Sequence, residues 1–224
     1  MPTIAIVGAG PGLGLAIART FGPRGFDVAL ISRNRDKLDD LIGQLAADGI
    51  TAAAFPADVL DRPALTQALK DAAAHFGGID VLEFSPGGTA ETTTLTLPTE
   101  TTPDDVQSQI EVQLYGAITA TQAVLPAMRD AGVGTLLFTT GAGSVDPVPQ
   151  VGNVNAAAAA LRNWAINLNK ELAGTGVYAV HVGIDVSIDK SVIPGFPTAP
   201  AADIAAAYWE LHNEREDGEF IFSL

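Results

Sequence analysis

Seven residues near the amino terminus, Gly8-Ala9-Gly10-Pro11-Gly12-Leu13-Gly14, have the composition and placement to hold a phosphate. They follow a β-branched apolar run, Thr3–Val7, and lead into an apolar-periodic stretch, Leu15–Phe21. Glycines in that setting permit a tight turn, let backbone amides approach an anion without a Cβ in the way, and bring helix against strand. The amino end of the helix then faces the charge. The next apolar run, Asp27–Ile31, ends in Ser32-Arg33-Asn34. A carboxylate there would bind both hydroxyls of an adenosine ribose. Ser32 and Arg33 offer instead a hydroxyl and a guanidinium, which can hold a 2′-phosphate bidentately and stack on adenine. The implied cofactor is NADP, gripped by the glycine loop and selected by Arg33. The other reading of Arg33 is a solvated charge at a helix start. Asp27 stands at the wrong end of its strand to compete.

These groups need a scaffold, and the apolar periodicity supplies one. Short runs rich in β-branched residues alternate with longer helical patterns, the signature of successive βαβ units. Strands are expected at Thr3–Val7, Asp27–Ile31, Thr51–Phe55, Val81–Phe84, Gly134–Thr139 and Val177–Val182, with a short edge strand near Phe220–Phe222. Helices are expected at Gly12–Phe21, Arg35–Ala47, Pro63–His75, Pro103–Arg129, Asn153–Leu172 and Ala202–Asn213. The fold class is α/β: a single Rossmann-type, doubly wound parallel sheet of about seven strands with helices on both faces, spanning residues 1–224 as one domain. Ligand chemistry belongs at the carboxyl ends of the strands. Thr89–Pro103 and Ile193–Pro200 are the long loops and candidate rims or lids. The segment from Val186 to Ala201 is short for a substrate lid, so the pocket should be open. The run Ala156–Ala160 suits close helix packing.

Composition removes several alternatives. The chain has no cysteine, which excludes disulfides, thiolate metal sites and cysteine nucleophiles. Its three histidines lie far apart in sequence, so no metal site is expected. A formal charge of −14 repels phosphodiester backbones and anionic lipid, so neither nucleic acid nor membrane is an expected partner. No apolar stretch is long enough to span a bilayer, and the start lacks the basic flank and cleavage site of a signal peptide. A cytoplasmic location and a small-molecule substrate are the expectations.

Over nearly its whole length the chain resembles the short-chain dehydrogenase/reductase family. The glycine loop matches the TGxxxGxG pattern with Val7 in place of threonine; Asp58-Val59 matches the pair that contacts adenine; Asp80-Val81-Leu82 opens the fourth strand as in the family. Phe84-Ser85-Pro86-Gly87 stands where the NNAG motif would, keeping only its glycine, and places Ser85 and Gly87 against the cofactor. The resemblance implies a catalytic quartet of asparagine, serine, tyrosine and lysine. At those positions stand Gln113, Thr140, Asn153 and Ala157, and Ile184-Asp185 replaces a Pro-Gly pair. Lysine lowers the pKa of the tyrosine phenol so that it can exchange a proton near neutral pH; asparagine and alanine cannot. Thr140 can still hydrogen-bond a substrate oxygen as the family's serine does.

Other groups near the strands' carboxyl ends could supply what is missing. Asp185 replaces a glycine close to the nicotinamide in the family, and also reads as a loop carboxylate capping backbone. His181 reads first as packed and hydrogen-bonded, second as catalytic. Tyr115 reads as core or interface, Glu83 as paired with a buried donor, and Asp146 before Pro147 as a turn residue. The candidate catalytic set is Thr140, Asn153, Gln113 and Asp185. Three functions remain open: an NADPH-dependent reductase acting on an activated alkene, imine or carbonyl; a non-redox isomerase or cyclase; and a binding protein that senses NADPH. The resemblance further implies a homodimer or homotetramer pairing Pro103–Arg129 and Asn153–Leu172 across a twofold axis.

Overall fold

The computed structural model describes residues 1–87, 94–191 and 195–224. Seven parallel strands form one sheet in the order β3-β2-β1-β4-β5-β6-β9. They are β1 (Thr3–Val7), β2 (Asp27–Ile31), β3 (Ala52–Ala54), β4 (Val81–Phe84), β5 (Gly134–Gly141), β6 (Val177–Ile184) and β9 (Glu219–Phe222). The chain winds outward from β1 to β3, then returns to begin the other half at β4. That reversal between β1 and β4 leaves a crevice at their carboxyl ends.

Every residue of β1, β2, β4 and β6 is buried, as a parallel sheet covered on both faces requires. One face packs Ile4, Ile6, Leu30 and Val180 against helices α1 (Leu13–Phe21), α2 (Arg35–Ala47) and α7 (Ala201–Glu214). The other packs Phe84, Leu136 and Phe138 against α3 (Arg62–Phe76), α5 (Gly116–Ala131) and α6 (Gly152–Glu171). Phe84 and Phe138 are fully enclosed, each worth roughly 2–3 kcal/mol of transfer free energy.

Three departures from the sequence expectations bear on the site. The long helix expected over Pro103–Arg129 is divided into α4 (Pro103–Ile110), a π turn at Glu111–Tyr115 and α5. β5 and β6 run two residues further than expected, which carries Thr140 inside the sheet's edge. The last strand begins at Glu219, one residue before the expected range, and pairs parallel with β6, setting Glu219 opposite His181. Beyond β6, β7 (Ser187–Ile188) and β8 (Thr198–Ala199) pair as a small ribbon. Of the two expected rim loops, residues 89–93 and 193–194 lie outside the described residues. Among the described residues, no helix is long and apolar enough to cross a membrane.

Candidate active site

The glycine loop is built by two contacts. Gly8 has φ +100, and a Cβ on it would stand 2.5 Å from the Ser85 carbonyl oxygen, so only glycine lets the loop after β1 lie against the loop after β4. The Gly8 and Ala9 amides both donate to the Ile31 carbonyl, at 2.9 and 3.1 Å, tying the loop to the end of β2. Ser85 is held on the same edge by its own amide, which donates to the Val7 carbonyl at 2.9 Å. A Cβ on Gly10 would come no nearer than 3.9 Å to any described residue beyond its chain neighbours, and one on Gly12 would meet nothing within 4 Å. Packing within the chain therefore does not require glycine at either place. What the missing side chains leave open is the approach to the amino end of α1, where the Leu15 and Ala16 amides donate to the Gly10 and Gly12 carbonyls and the Leu13 and Gly14 amides precede the first helical bond. This fits a pyrophosphate. Pro11 is exposed on the loop, while Leu13 and Gly14 turn inward.

Ser32 is half-buried and Arg33 exposed at the carboxyl end of β2; no ion pair engages Arg33 among the described residues. Asn34 caps α2 by accepting the Lys37 amide at 3.0 Å. The Ser32 carbonyl accepts the Ala57 amide at 3.1 Å, which draws the loop after β3 to the same edge. There Asp58 accepts the Leu60 amide at 3.0 Å. A Cβ on Gly116 would lie 2.9 Å from the Phe84 ring and 3.5 Å from Val59, so this glycine seats α5 close beside both. Gly87 is exposed at the rim.

At the far end of the crevice, Thr140 and His181 project from the same face of neighbouring strands. Phe138 pairs with His181 and Thr140 with Gly183, so the imidazole and the threonine hydroxyl meet on the diagonal, over a position that carries no side chain. The Thr140 hydroxyl lies 2.7 Å from His181 Nε2, its shortest contact, 2.9 Å from the Gly141 carbonyl and 3.0 Å from the Ser144 hydroxyl. On its other side, His181 Nδ1 lies 3.1 Å from Glu219 Oε1. Arg162 on α6 grips the same carboxylate with Nε and Nη2, the latter at 2.8 Å from Oε2. Burial pushes the imidazole down from 6.5 to about 4, against the opposing pull of Glu219. The Arg162 hydrogen bonds hold the Glu219 carboxyl below its ordinary value, so it is an anion at neutral pH. A carboxylate only accepts; Nδ1 therefore carries the imidazole proton, and Nε2 presents a lone pair to Thr140.

A family model described as short chain dehydrogenase matches residues 2–186 of this chain. The chain belongs to the short-chain dehydrogenase family. An uncharacterized oxidoreductase of Staphylococcus aureus (strain N315) is 31% identical over 195 residues, covering 85% of this chain and 82% of that protein. The L-sorbose reductase from Gluconobacter frateurii, solved in complex with NADPH and L-sorbose, matches with a TM-score of 0.87 at 20% identity, over 99% of this chain and 95% of that one. A short chain oxidoreductase from Pseudomonas aeruginosa PAO1, solved with NADPH bound and containing an atypical catalytic center, matches with a TM-score of 0.87 at 18% identity, over 98% and 94%. At these identities the two structures share the fold.

Within this short-chain dehydrogenase, the four candidate catalytic residues occupy different settings. Asn153 is buried at the start of α6, where its carbonyl accepts the Thr96 amide at 3.2 Å and its amide donates to the Thr94 carbonyl at 2.8 Å. Both ends of that side chain brace the segment before α4. Ala157, one turn on, is enclosed in the core. Gln113 is half-buried in the π turn, a distortion that recurs at functional sites because it re-aims side chains along a helix. Asp185 is exposed just past β6, its amide donating to the Phe222 carbonyl at 2.9 Å. Among the described residues, none of these three hydrogen-bonds to Thr140.

What sequence reasoning missed is the company Thr140 keeps. His181 carried half a signal, since strand alternation fixes which residues of β6 share its face, and only the register with β5 adds Phe138 and Thr140 to that face. Glu219 and Arg162 carried none until β9 was paired. A second buried polar cluster lies on the opposite face: Glu83 accepts from the Ser85 hydroxyl at 3.0 Å and from Thr139 at 2.9 Å, and Thr139 lies 2.7 Å from the Tyr208 hydroxyl. Burial raises the Glu83 carboxyl from 4.5 to about 8.

Proposed function

We propose that this short-chain dehydrogenase is an NADP(H)-dependent oxidoreductase with an altered active site, acting on a small organic substrate that carries an activated alkene, an imine or a carbonyl. The observation that carries the reading is the loop after β1: Gly8 pressed on the Ser85 backbone, and Gly10 and Gly12 left open before α1. When bound there, the dihydronicotinamide would supply a hydride, one proton with two electrons, to the substrate. The chain's own residues do the rest. Arg33 meets the 2′-phosphate with a guanidinium that no carboxylate of the described chain has engaged. Thr140 holds the substrate's oxygen or nitrogen at the carboxyl end of β5. Asn153 and Ala157 take the places of the tyrosine and lysine, and the Asn153 amide is occupied by the 94–96 backbone. The NADPH complexes of the Gluconobacter and Pseudomonas proteins, which share the fold, support the choice of cofactor.

Calorimetric titration with NADPH and NADH tests the cofactor. NADPH should bind at least tenfold tighter, and Arg33→Ala should remove most of that preference while weakening NADH, which shares only the adenine contact, far less than NADPH; equal affinities in the native protein would refute the assignment. Turnover of NADPH with phenanthrenequinone, 2-cyclohexenone and 1-pyrroline then tests the redox step. The occupied Asn153 amide and the apolar Ala157 favour one rival, an NADPH-binding protein without turnover. That rival is preferred if the nucleotide binds and none of the three probes is reduced.

A further inference from the structure

We propose that the Thr140 hydroxyl, the His181 imidazole and the Glu219 carboxylate form a proton relay that serves the reacting oxygen of the substrate, in place of a tyrosine-lysine pair. The inference rests on the oxidoreductase reading of this site and adds to it the route of the proton. Its basis is an unbroken chain of contacts: Thr140 Oγ1 to His181 Nε2 at 2.7 Å, His181 Nδ1 to Glu219 Oε1 at 3.1 Å, and Glu219 to Arg162. The charged and polar groups that face the imidazole are Glu219 from β9, Arg162 from α6, and Thr140 and Ser144 from β5 and the turn after it.

The inner end of this chain is enclosed and the outer end is wet. Thr140 and Ser144 are each 7% exposed and His181 is fully buried, so the hydrogen bonds between them are not in competition with bulk water. Glu219 keeps 28% of its side chain exposed and lines a surface hollow with Lys170 and Asp217. The order of residues is that of a hydroxyl, a base and an orienting carboxylate. Arg162 fixes the carboxylate, the carboxylate fixes the imidazole tautomer, and the bare Nε2 faces the hydroxyl.

During oxidation of an alcohol, the substrate O–H proton passes to Thr140 Oγ1 as the Thr140 proton passes to His181 Nε2. In the same event the substrate carbon passes its hydride to an oxidised nicotinamide held in the crevice, and the imidazolium that forms is stabilised by Glu219. Reduction is the reverse: the imidazolium returns its Nε2 proton to Thr140, whose own proton goes to the developing alkoxide. The imidazole is then neutral and regains a proton from water once product has left. Thr140 touches the substrate; His181, Glu219 and Arg162 act through it.

Reduction therefore draws on the protonated imidazole, and burial makes that form scarce above about pH 4. In native protein, kcat/KM for reduction of phenanthrenequinone should fall close to tenfold per pH unit between about pH 5 and about pH 7. His181→Gln should lose roughly 100-fold or more at the acid end of that range, and its rate should no longer follow pH. Thr140→Val should lose roughly 100–1,000-fold in kcat, Thr140→Ser should restore most of it, and all three variants should bind NADPH with native affinity. A second readout needs no turnover. Imidazole 15N spectra of the NADPH-bound protein should show a bare Nε2 whose resonance moves in Thr140→Val while Nδ1 keeps its proton. Turnover with the same pH slope in His181→Gln as in native protein, or a proton found on Nε2 at pH 7, overturns the relay and leaves the oxidoreductase reading intact. Tight NADPH binding with no turnover of any probe overturns both.

Discussion

Glu83 is a carboxyl placed where water cannot reach it, and its cost can be worked out and measured. Burial raises it from the ordinary 4.5 to about 8, although the hydroxyls of Ser85 and Thr139 donate to it and favour the charged form. In the unfolded chain the group titrates near its ordinary value. Between those two values the native protein holds a proton that the unfolded chain has already released. Stability therefore falls as pH rises through this window; the loss begins near the unfolded value and is complete near about 8. At about 1.4 kcal/mol per pH unit, the loss from this one group is at most roughly 4 kcal/mol between about pH 5 and about pH 8. Glu83→Gln keeps the size and removes the titration. Urea unfolding of both proteins across that range gives the difference in free energy, in which all other titrating groups cancel. The native protein should lose roughly 2–4 kcal/mol relative to the variant as pH rises. Parallel pH profiles for the two proteins would refute the buried neutral carboxyl.

Gly8→Ala should destabilise the fold by roughly 2–5 kcal/mol in urea unfolding, because φ +100 disfavours any side chain and the added Cβ meets the Ser85 backbone at 2.5 Å. Asn153→Ala strips partners from the Thr96 amide and the Thr94 carbonyl, and should cost about 1–3 kcal/mol by the same assay. The acid side of the stability profile has the opposite sign from Glu83. Burial pushes both His181 and His212 down from 6.5 to about 4, so the unfolded chain takes up protons first and stability falls as pH drops through that interval. His212→Gln should make that acid limb measurably shallower in urea unfolding followed from pH 7 downward.

Local pattern determined much of this protein. Strand alternation, helical periodicity and the spacing of Gly8, Gly10, Gly12 and Gly14 act over a few residues, so the first β-turn-α unit, the strand Val81–Phe84 and the helix Arg35–Ala47 were legible to the residue or nearly so. The π turn at Glu111–Tyr115 was not, because a single wider turn shifts the phase of the side chains over too few residues to stand out from the apolar pattern of one long helix. The surroundings of Thr140 were hidden for another reason. His181 lies 41 positions from Thr140 and 38 from Glu219, while Arg162 lies 57 from Glu219. Such pairs exist only once β5, β6 and β9 are laid side by side in one register. A shift of a single residue in either pairing would turn the imidazole or the carboxylate to the opposite face of the sheet. The residue types that could do chemistry were written in the chain; which of them touch was decided by strand order and register, which depend on packing over the whole sheet.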